Sequence, residues 1–287
     1  MTYELLDSGD GRKLERVGSW LLDRQCAVAF WKPRLGKKEW DKVDAYHHRS
    51  EKGGGHWEFN SKLPESWQIE WGGLQLKVKP TAFGHLGFFA EQAHQWAWFR
   101  ETAAKAQSKL GRPIRALNLF AYTGGSSLAL MQGGAEVTHV DAAKGVVDWC
   151  RQNAELNGLV SDRLRLIVDD AIVFLKREAR RGRKYDGVLL DPPSFGRGPN
   201  KEVFKIEEDA GSLLEAVAAV LEPEPVFAHL SCHSPGFTPE VLHNLLSQAV
   251  PSKLLTSRER GEMVVTEQGV GARPVPSGAF CRVARSL

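Results

Sequence analysis

Four short apolar runs between residues 115 and 190 each end on residues that could hold a ligand. The first runs into Asn118-Leu119-Phe120-Ala121-Tyr122-Thr123-Gly124-Gly125-Ser126, a loop of small residues that opens a helix. The other three end at Asp141, at Asp169-Asp170-Ala171 and at Asp191-Pro192-Pro193-Ser194-Phe195-Gly196. Adjacent glycines let a ligand approach the backbone closely, and the unpaired N–H groups of a helix start attract an anion such as a carboxylate. A carboxylate at Asp141 can accept both hydroxyls of a ribose. Asp170 with Ala171 can meet the amino group of an adenine. Each feature has an ordinary reading, a tight β-to-α turn for the loop and a helix cap for the two aspartates. Together, at successive strand ends, they have the spacing that one adenosine requires.

The candidate cofactor contacts are therefore Asn118, Phe120, Tyr122, Thr123, Gly124, Asp141, Asp170, Ala171 and Asp191. A dinucleotide-binding dehydrogenase also uses a glycine loop followed by an acidic residue, but the G-x-G-x-x-G spacing is missing. The turn after the fourth strand separates the two classes. Pro192 and Pro193 remove two backbone donors and fix φ, leaving a rigid turn whose carbonyls and Asp191 face the pocket. Phe195 offers a stacking face to a planar substrate. These residues favour S-adenosylmethionine as cofactor and methyl transfer as reaction.

The elements that must position these residues follow from the hydrophobic pattern. Strand and helix patterns alternate from residue 115 onward: strands at 115–120, 136–140, 164–168, 187–190 and 226–230, with helices starting at Ser126 and spanning 144–157, 171–180, 207–221 and 239–249. Repeated βαβ units imply a mostly parallel sheet with helices on both faces and a ligand at the carboxyl ends of its strands. Glycines and Pro274 after residue 250 suggest two closing strands in a long hairpin, which completes a seven-stranded Rossmann-like α/β fold. A helix at 91–110 precedes this domain. Residues 3–79 are rich in Trp and Gly, with alternating segments such as Gln68-Ile69-Glu70-Trp71, and read as antiparallel strands. The expected division is a β-rich N-terminal domain, 1–85, that helps to hold substrate, and a catalytic domain, 86–287.

The segment 117–234 resembles class I methyltransferases, with Asn118 to Gly125, Asp141, Asp170 and Asp191 to Phe195 standing at the positions of that group's successive motifs. More closely, it resembles the bacterial family that includes the large-subunit ribosomal RNA cytosine-C5 methyltransferase. The shared features are the loop at 118–125, the Asp191 to Phe195 turn, Gly87-Phe88-Phe89-Ala90-Glu91-Gln92 and Leu230-Ser231-Cys232. The RNA-binding domain with which that enzyme begins is not recognised in the first 80 residues, so the resemblance does not carry over its precise substrate. The resemblance implies that Glu91-Gln92 closes over the cofactor, with Gln92 in contact, and that the partner is RNA, ribosomal RNA above all. It also implies a covalent route. C5 of cytosine is a poor nucleophile, and a thiolate added to C6 turns C5 into an enamine-like carbon that can take the methyl group. Cys232 is the candidate nucleophile and Asp191 the acidic group near N3, with Pro192, Pro193 and Phe195 against a flipped base. Three alternatives stay open: methylation of an exocyclic amine or a non-RNA substrate, a non-catalytic RNA-binding module, and Cys232 as a buried thiol. If the strand persists, His229 and His233 point away from Cys232.

Composition bounds these readings. Among 287 residues, 42% hydrophobic and 25% charged are ordinary for globular proteins, so disorder is not indicated. No stretch approaches the roughly 20 apolar residues of a membrane span, and the acidic start Tyr3-Glu4-Leu5-Leu6-Asp7 lacks a signal peptide's pattern. A cytosolic location is expected. The cysteines, Cys26, Cys150, Cys232 and Cys281, are scattered, and His47, His48 and His56 lack zinc spacing, so no metal is expected. A net charge of +3 with pI near 8.6 falls short of the pI above about 9 that marks a strong nucleic-acid footprint. The densest basic run, Lys176, Arg177, Arg180, Arg181, Arg183 and Lys184, sits at the amino end of the fourth strand and reads as a solvated helix face. Lys52-Gly53-Gly54-Gly55-His56-Trp57 reads as a glycine hairpin rather than a nucleic-acid contact.

Overall fold

A computed structural model describes residues 2–50, 54–200, 202–250 and 257–286. Lys52 and Gly53 of the expected glycine hairpin lie outside these residues. The chain forms two compact units. One comprises residues up to Ala93 together with Val264–Ser277, the other His94–Met263 and Gly278–Leu287.

The first unit is built on strands β1 (Tyr3–Gly9), β2 (Arg12–Val17), β3 (Trp20–Gln25), β4 (Ala45–Arg49) and β5 (Gly55–Phe59), in that order across one sheet, with a short helix α1 (Lys37–Trp40) between β3 and β4. All neighbours run antiparallel except β3 and β4. A separate hairpin pairs β6 (Trp67–Trp71) with β7 (Leu74–Val78). Its turn, Gly72-Gly73, has positive φ at both positions, the geometry that matches the right-handed twist of a two-residue hairpin and that glycine adopts without cost. Leu74, Leu76 and Val78 alternate inward as the sequence pattern requires.

Two clusters of buried charge complete this unit. Glu15 accepts hydrogen bonds from the Tyr3 hydroxyl at 2.7 Å and from Arg24 Nε at 2.7 Å and Nη2 at 2.9 Å. Asp7 and Glu267 together take donors from Arg34, Arg273, Ser8 and Trp40. This second cluster is why Val264–Ser277, far away in sequence, belongs to the first unit. The boundary therefore differs from an 85/86 division in two ways: it falls at Ala93, and the tip of the closing hairpin crosses it.

The second unit opens with α2 (Ala93–Leu110), preceded by a 3-10 turn at Ala90–Gln92 that holds Gln92 buried in the first unit. Then follow β8 (Arg115–Leu119), α3 (Gly125–Gln132), β9 (Glu136–Asp141), α4 (Lys144–Leu156), β10 (Leu164–Val168), α5 (Ala171–Arg180), β11 (Gly187–Leu190), a small hairpin of β12 (Phe195–Arg197) and β13 (Val203–Lys205), α6 (Ile206–Ala218), β14 (Phe227–Cys232), α7 (Pro239–Ala249), β15 (Ser257–Thr266) and β16 (Pro274–Ala284). The seven-stranded sheet runs β10-β9-β8-β11-β14-β16-β15, parallel from β10 to β14, with β16 antiparallel to β14. Central strands such as β11, buried along their whole length, are continuous apolar runs because helices cover both faces. The order reverses between β8 and β11, and a ligand belongs at the carboxyl ends there.

The basic run before β11 has a structural role. Glu178 is buried, and Arg165, Arg181 and Arg183 surround it while Tyr185 donates its hydroxyl at 2.8 Å. Arg177 pairs with Asp169 at 2.7 Å, and Lys184 donates to the Ala219 carbonyl. Half of this cluster serves as counterion rather than as solvated face. Among the described residues no helix is long and apolar enough to cross a membrane, and no three His, Cys, Asp or Glu side chains cluster as metal ligands.

Candidate active site

The loop after β8 is held in a conformation its residues do not favour. Phe120 and Tyr122 have φ of 55° and 50°, in the left-handed region that costs a non-glycine residue about 1 kcal/mol or more, and Gly124 follows at 94°. Such strain persists only where surroundings impose it. Here the Ala121 N–H donates to the Val140 carbonyl at 3.1 Å, the Tyr122 N–H to Asp141 Oδ2 at 2.9 Å, and Asn153 Nδ2 to the Thr123 carbonyl at 2.9 Å. A Cβ on Gly124 would lie 2.3 Å from Cys150 Sγ, and one on Gly125 would lie 2.4 Å from the Trp96 ring. Glycine at these two positions lets the loop pass close over α4 and α2. No side chain caps the start of α3, so its first N–H groups are left for a ligand.

Behind the loop, Asn118 is buried and donates to Ser127 Oγ at 2.9 Å, and Ser127 Oγ lies 3.0 Å from His139 Nδ1. Burial lowers the His139 pKa to about 3, so this imidazole is neutral. The Asn118 carboxamide thus fastens α3 to the sheet.

Asp141 ends β9. Its Oδ2 takes the Tyr122 N–H, and its Oδ1 takes the Ala143 N–H at 3.0 Å. Burial raises its pKa, and these backbone donors oppose that shift. Ala142 is a third backbone donor, and the roughly four lone-pair sites of a carboxylate still leave room for a ribose hydroxyl. Asp170 caps α5, its Oδ1 accepting from the Val173 N–H at 2.9 Å, and Ala171 is buried beside it. The cap accounts for one oxygen and leaves the adenine reading of the other intact. These groups, with the loop, stand at the ends of adjacent strands and fit an adenosine bearing a carboxylate tail.

At the end of β11, Asp191 lies 3.3 Å from His233 Nδ1. Burial pushes this carboxyl up, but the charge and hydrogen bond of His233, with a further bond from Ser231, outweigh it and hold the pKa below the usual carboxylate range. A strand persisting through His233 would point that side chain away from Cys232. The strand stops at Cys232, the alternation lapses there, and the imidazole turns to Asp191. The useful signal was the strand end itself. Pro192 is buried and Pro193 exposed, Ser194 Oγ lies 2.6 Å from Ser234 Oγ, and the turn leads into the β12–β13 hairpin. That hairpin carries Phe195 with its ring 51% exposed and the Arg197 guanidinium 5.8 Å from its centroid.

Cys232 belongs to the apolar cluster that includes Leu242, Leu246 and Cys281, and it is 1% exposed. Its Sγ accepts the Ser234 N–H at 3.3 Å. Burial raises the thiol pKa, opposed by the bonds from Ser234, so the group is a protonated thiol at neutral pH. The structure thus gathers Asp191, Pro192, Pro193 and Phe195 at one strand end, with Cys232 on the core side of the next.

Comparison with known proteins agrees with this geometry. Residues 32–265 match the family described as S-adenosylmethionine-dependent methyltransferase. The crystal structure of the S-adenosylmethionine-dependent methyltransferase from Agrobacterium tumefaciens superposes with a TM-score of 0.92 at 34% identity, covering 100% of this chain and 91% of that one. Ribosomal RNA large subunit methyltransferase K of Neisseria meningitidis serogroup B is 26% identical over 225 residues, 77% of this chain and 59% of that protein. Ribosomal RNA large subunit methyltransferase I of Aeromonas salmonicida is 36% identical over 128 residues, 44% of this chain and 30% of that protein. The chain spans less than two thirds of the length of these two relatives. With the family match extending over most of the sequence and the strand-end aspartates in place, the chain belongs to the S-adenosylmethionine-dependent methyltransferases.

Proposed function

We propose that this enzyme methylates a nitrogen of a nucleobase in RNA, with large-subunit ribosomal RNA as the polymer. The observation that carries the reading is the contrast at two neighbouring strand ends: Asp191 is kept ionised beside His233, while Cys232 is buried and protonated. An ionised carboxylate and the carbonyls of a Pro-Pro turn are acceptors. They suit a base that presents N–H groups, holding it while a nitrogen lone pair faces the methyl donor. S-adenosylmethionine supplies an electrophilic methyl group on a positively charged sulfur. Asp191 then takes the proton that the methylated nitrogen releases, and His233 fixes the carboxylate that receives it. Phe195 covers the face of the base. Asp141 holds the ribose of the cofactor, Asp170 and Ala171 its adenine, and the loop from Asn118 through Phe120, Tyr122, Thr123 and Gly124 its methionine end. The names of the two ribosomal RNA relatives support the choice of polymer.

The motifs shared with the cytosine-C5 family favour a second reading, in which Cys232 attacks C6. That route requires the thiol to leave its apolar surroundings and lose a proton. Mass spectrometry of ribosomal RNA nucleosides from a deletion strain separates the two. Loss of a nitrogen-methylated nucleoside, restored by the wild type and not by Asp191→Ala, supports the first. Loss of 5-methylcytidine, with a Cys232-dependent adduct on 5-fluorocytidine RNA, supports the second. An unchanged nucleoside profile overturns both.

A further inference from the structure

The two faces of the five-stranded sheet in the first unit differ in charge. On one face the charges are paired among themselves: Arg12 with Asp23 at 2.8 Å and over the Tyr46 ring at 3.8 Å, and His48 with Glu58 at 2.7 Å. On the other face lies a cavity of about 180 Å³ whose walls include Lys13, Arg24, His47, Arg49 and Phe83, with one buried carboxylate, Glu91, whose charge bears on Arg24. His47 and Arg49, two apart on β4, share that face.

Phe83 and Gly84 line the cavity, and three side chains fix carbonyls of the segment from Thr81 to Gly84 that carries them. Trp57 Nε1 donates to Thr81 O at 2.8 Å, the His47 ring bonds Ala82 O at 3.3 Å, and Arg24 Nη1 donates to Gly84 O at 2.7 Å. Gly84 and Gly55 press on the His47 ring so closely that a Cβ on either would fall within 3 Å of it. The result of all this anchoring is a phenylalanine, Phe83, held 69% exposed at the cavity mouth. A rigid loop that presents an exposed ring has lost in advance the freedom that binding would otherwise remove. Arg24 is committed to Glu15 and Gly84 and serves as wall. Lys13 reaches Glu15 at 3.1 Å with one of three donors, and Arg49 is exposed.

At about 180 Å³ the cavity is smaller than the ~300–1,000 Å³ of sites for larger organic ligands, so it suits a single planar ring. An exposed aromatic beside two cations is the combination that stacks a base and tracks its phosphate in single-stranded nucleic acids. We infer that this face of the N-terminal sheet holds one unpaired nucleotide of the RNA substrate, its base stacked on Phe83 at the cavity and its phosphate between Lys13 and Arg49. This assignment rests on the proposal that the substrate is RNA.

Fluorescence anisotropy of the full chain with labelled single-stranded oligouridylate tests it. Phe83→Ala should weaken binding by roughly five- to a hundredfold, the range for loss of one stacked base. An abasic oligomer should bind the wild type more weakly than oligouridylate, yet bind Phe83→Ala and the wild type alike. Arg49→Gln should lower the slope of log affinity against log salt by about 0.7, one single-strand phosphate contact. Calorimetry with S-adenosylhomocysteine, unchanged in both variants, reports on folding of the catalytic unit. If the wild type binds or methylates RNA and both variants bind it equally well, the pocket assignment falls and the RNA reading stands. If no RNA is bound or methylated by the wild type, both fall.

Discussion

The two units use carboxylates in opposite ways. In the first, Asp7, Glu15 and Glu267 are wholly buried, and arginine forks saturate them: Arg24 on Glu15, Arg34 and Arg273 on Asp7 and Glu267. In the second, Asp141 and Asp170 at the strand ends receive backbone N–H groups, and Asp191 receives an imidazole and Ser231. A saturated carboxylate holds a fold together and has nothing left to offer. A carboxylate met by backbone N–H groups rather than arginine forks is positioned and still able to accept from a ligand. Glu178 shows that the rule follows role rather than unit, because that buried carboxylate of the second unit is ringed by three arginines and a tyrosine.

The largest expected break in this comparison is Arg24→Met. It leaves the buried Glu15 carboxylate with only Lys13 and the Tyr3 hydroxyl against it, and loss of the bidentate partner should cost about 3 kcal/mol, read as a shift of the first unit's unfolding transition to lower denaturant. The same pair predicts a pH effect. The Glu15 pKa is lowered to about 2, because Arg24 and Lys13 outweigh burial, so its contribution is present above its ordinary 4.5 and is lost as pH falls toward 2. In the second unit, His139 and His229 are buried neutral with pKa values lowered from 6.5 to about 3. The unfolded chain binds these protons first, so stability there declines from pH 6.5 downward to about 3. Acid titration followed by hydrogen exchange should show the second unit weakening at a higher pH than the first, and simultaneous loss would contradict it.

Asp141→Ala comes next. Loss of hydrogen bonds to the cofactor, about 1.5–3 kcal/mol, should weaken S-adenosylmethionine roughly ten- to a hundredfold by calorimetry while leaving the first unit's stability unchanged. His233→Ala is gentler. Without the imidazole the Asp191 carboxyl protonates more readily, so the acidic limb of kcat/KM against pH should move to higher pH, with little change in KM for the cofactor. An unmoved limb would remove His233 from the proton path. The smallest effect is expected from Arg181→Glu, an exposed partner of Glu178 in a surrounding that keeps Arg165 and Arg183. It should cost about 1 kcal/mol or less and leave RNA affinity in place.

Much of the second unit was legible because its pattern is local. Helix α5 begins at the capping Asp170 and ends where the apolar spacing stops, before Gly182 at positive φ, and α7 begins on Thr238 with a proline at its first position. The loop glycines, Asp141, Asp170 and the Pro-Pro turn stood out for the same reason, since each is set by the strand immediately before it. What escaped depends on contacts between distant residues. His233 reaches Asp191 across 42 positions, numbered from one to the other. The alternation that governs a strand says nothing about the residue after its end. The pinned loop at 81–84 depends on Trp57, His47 and Arg24, three side chains from three strands. No periodicity announces such a set.

The tip of the closing hairpin sets an order of events during synthesis. Ser8 Oγ donates to Glu267 Oε1 across 259 positions, and Asp7 waits for Arg273 in the same way. A ribosome adding about 5–20 residues per second needs roughly 13 to 52 s to make that stretch. Through that interval Asp7 is a carboxylate without its late arginine, and β1 is among the last strands to be completed. The nascent chain should resist protease across the parallel sheet before it does so across β1.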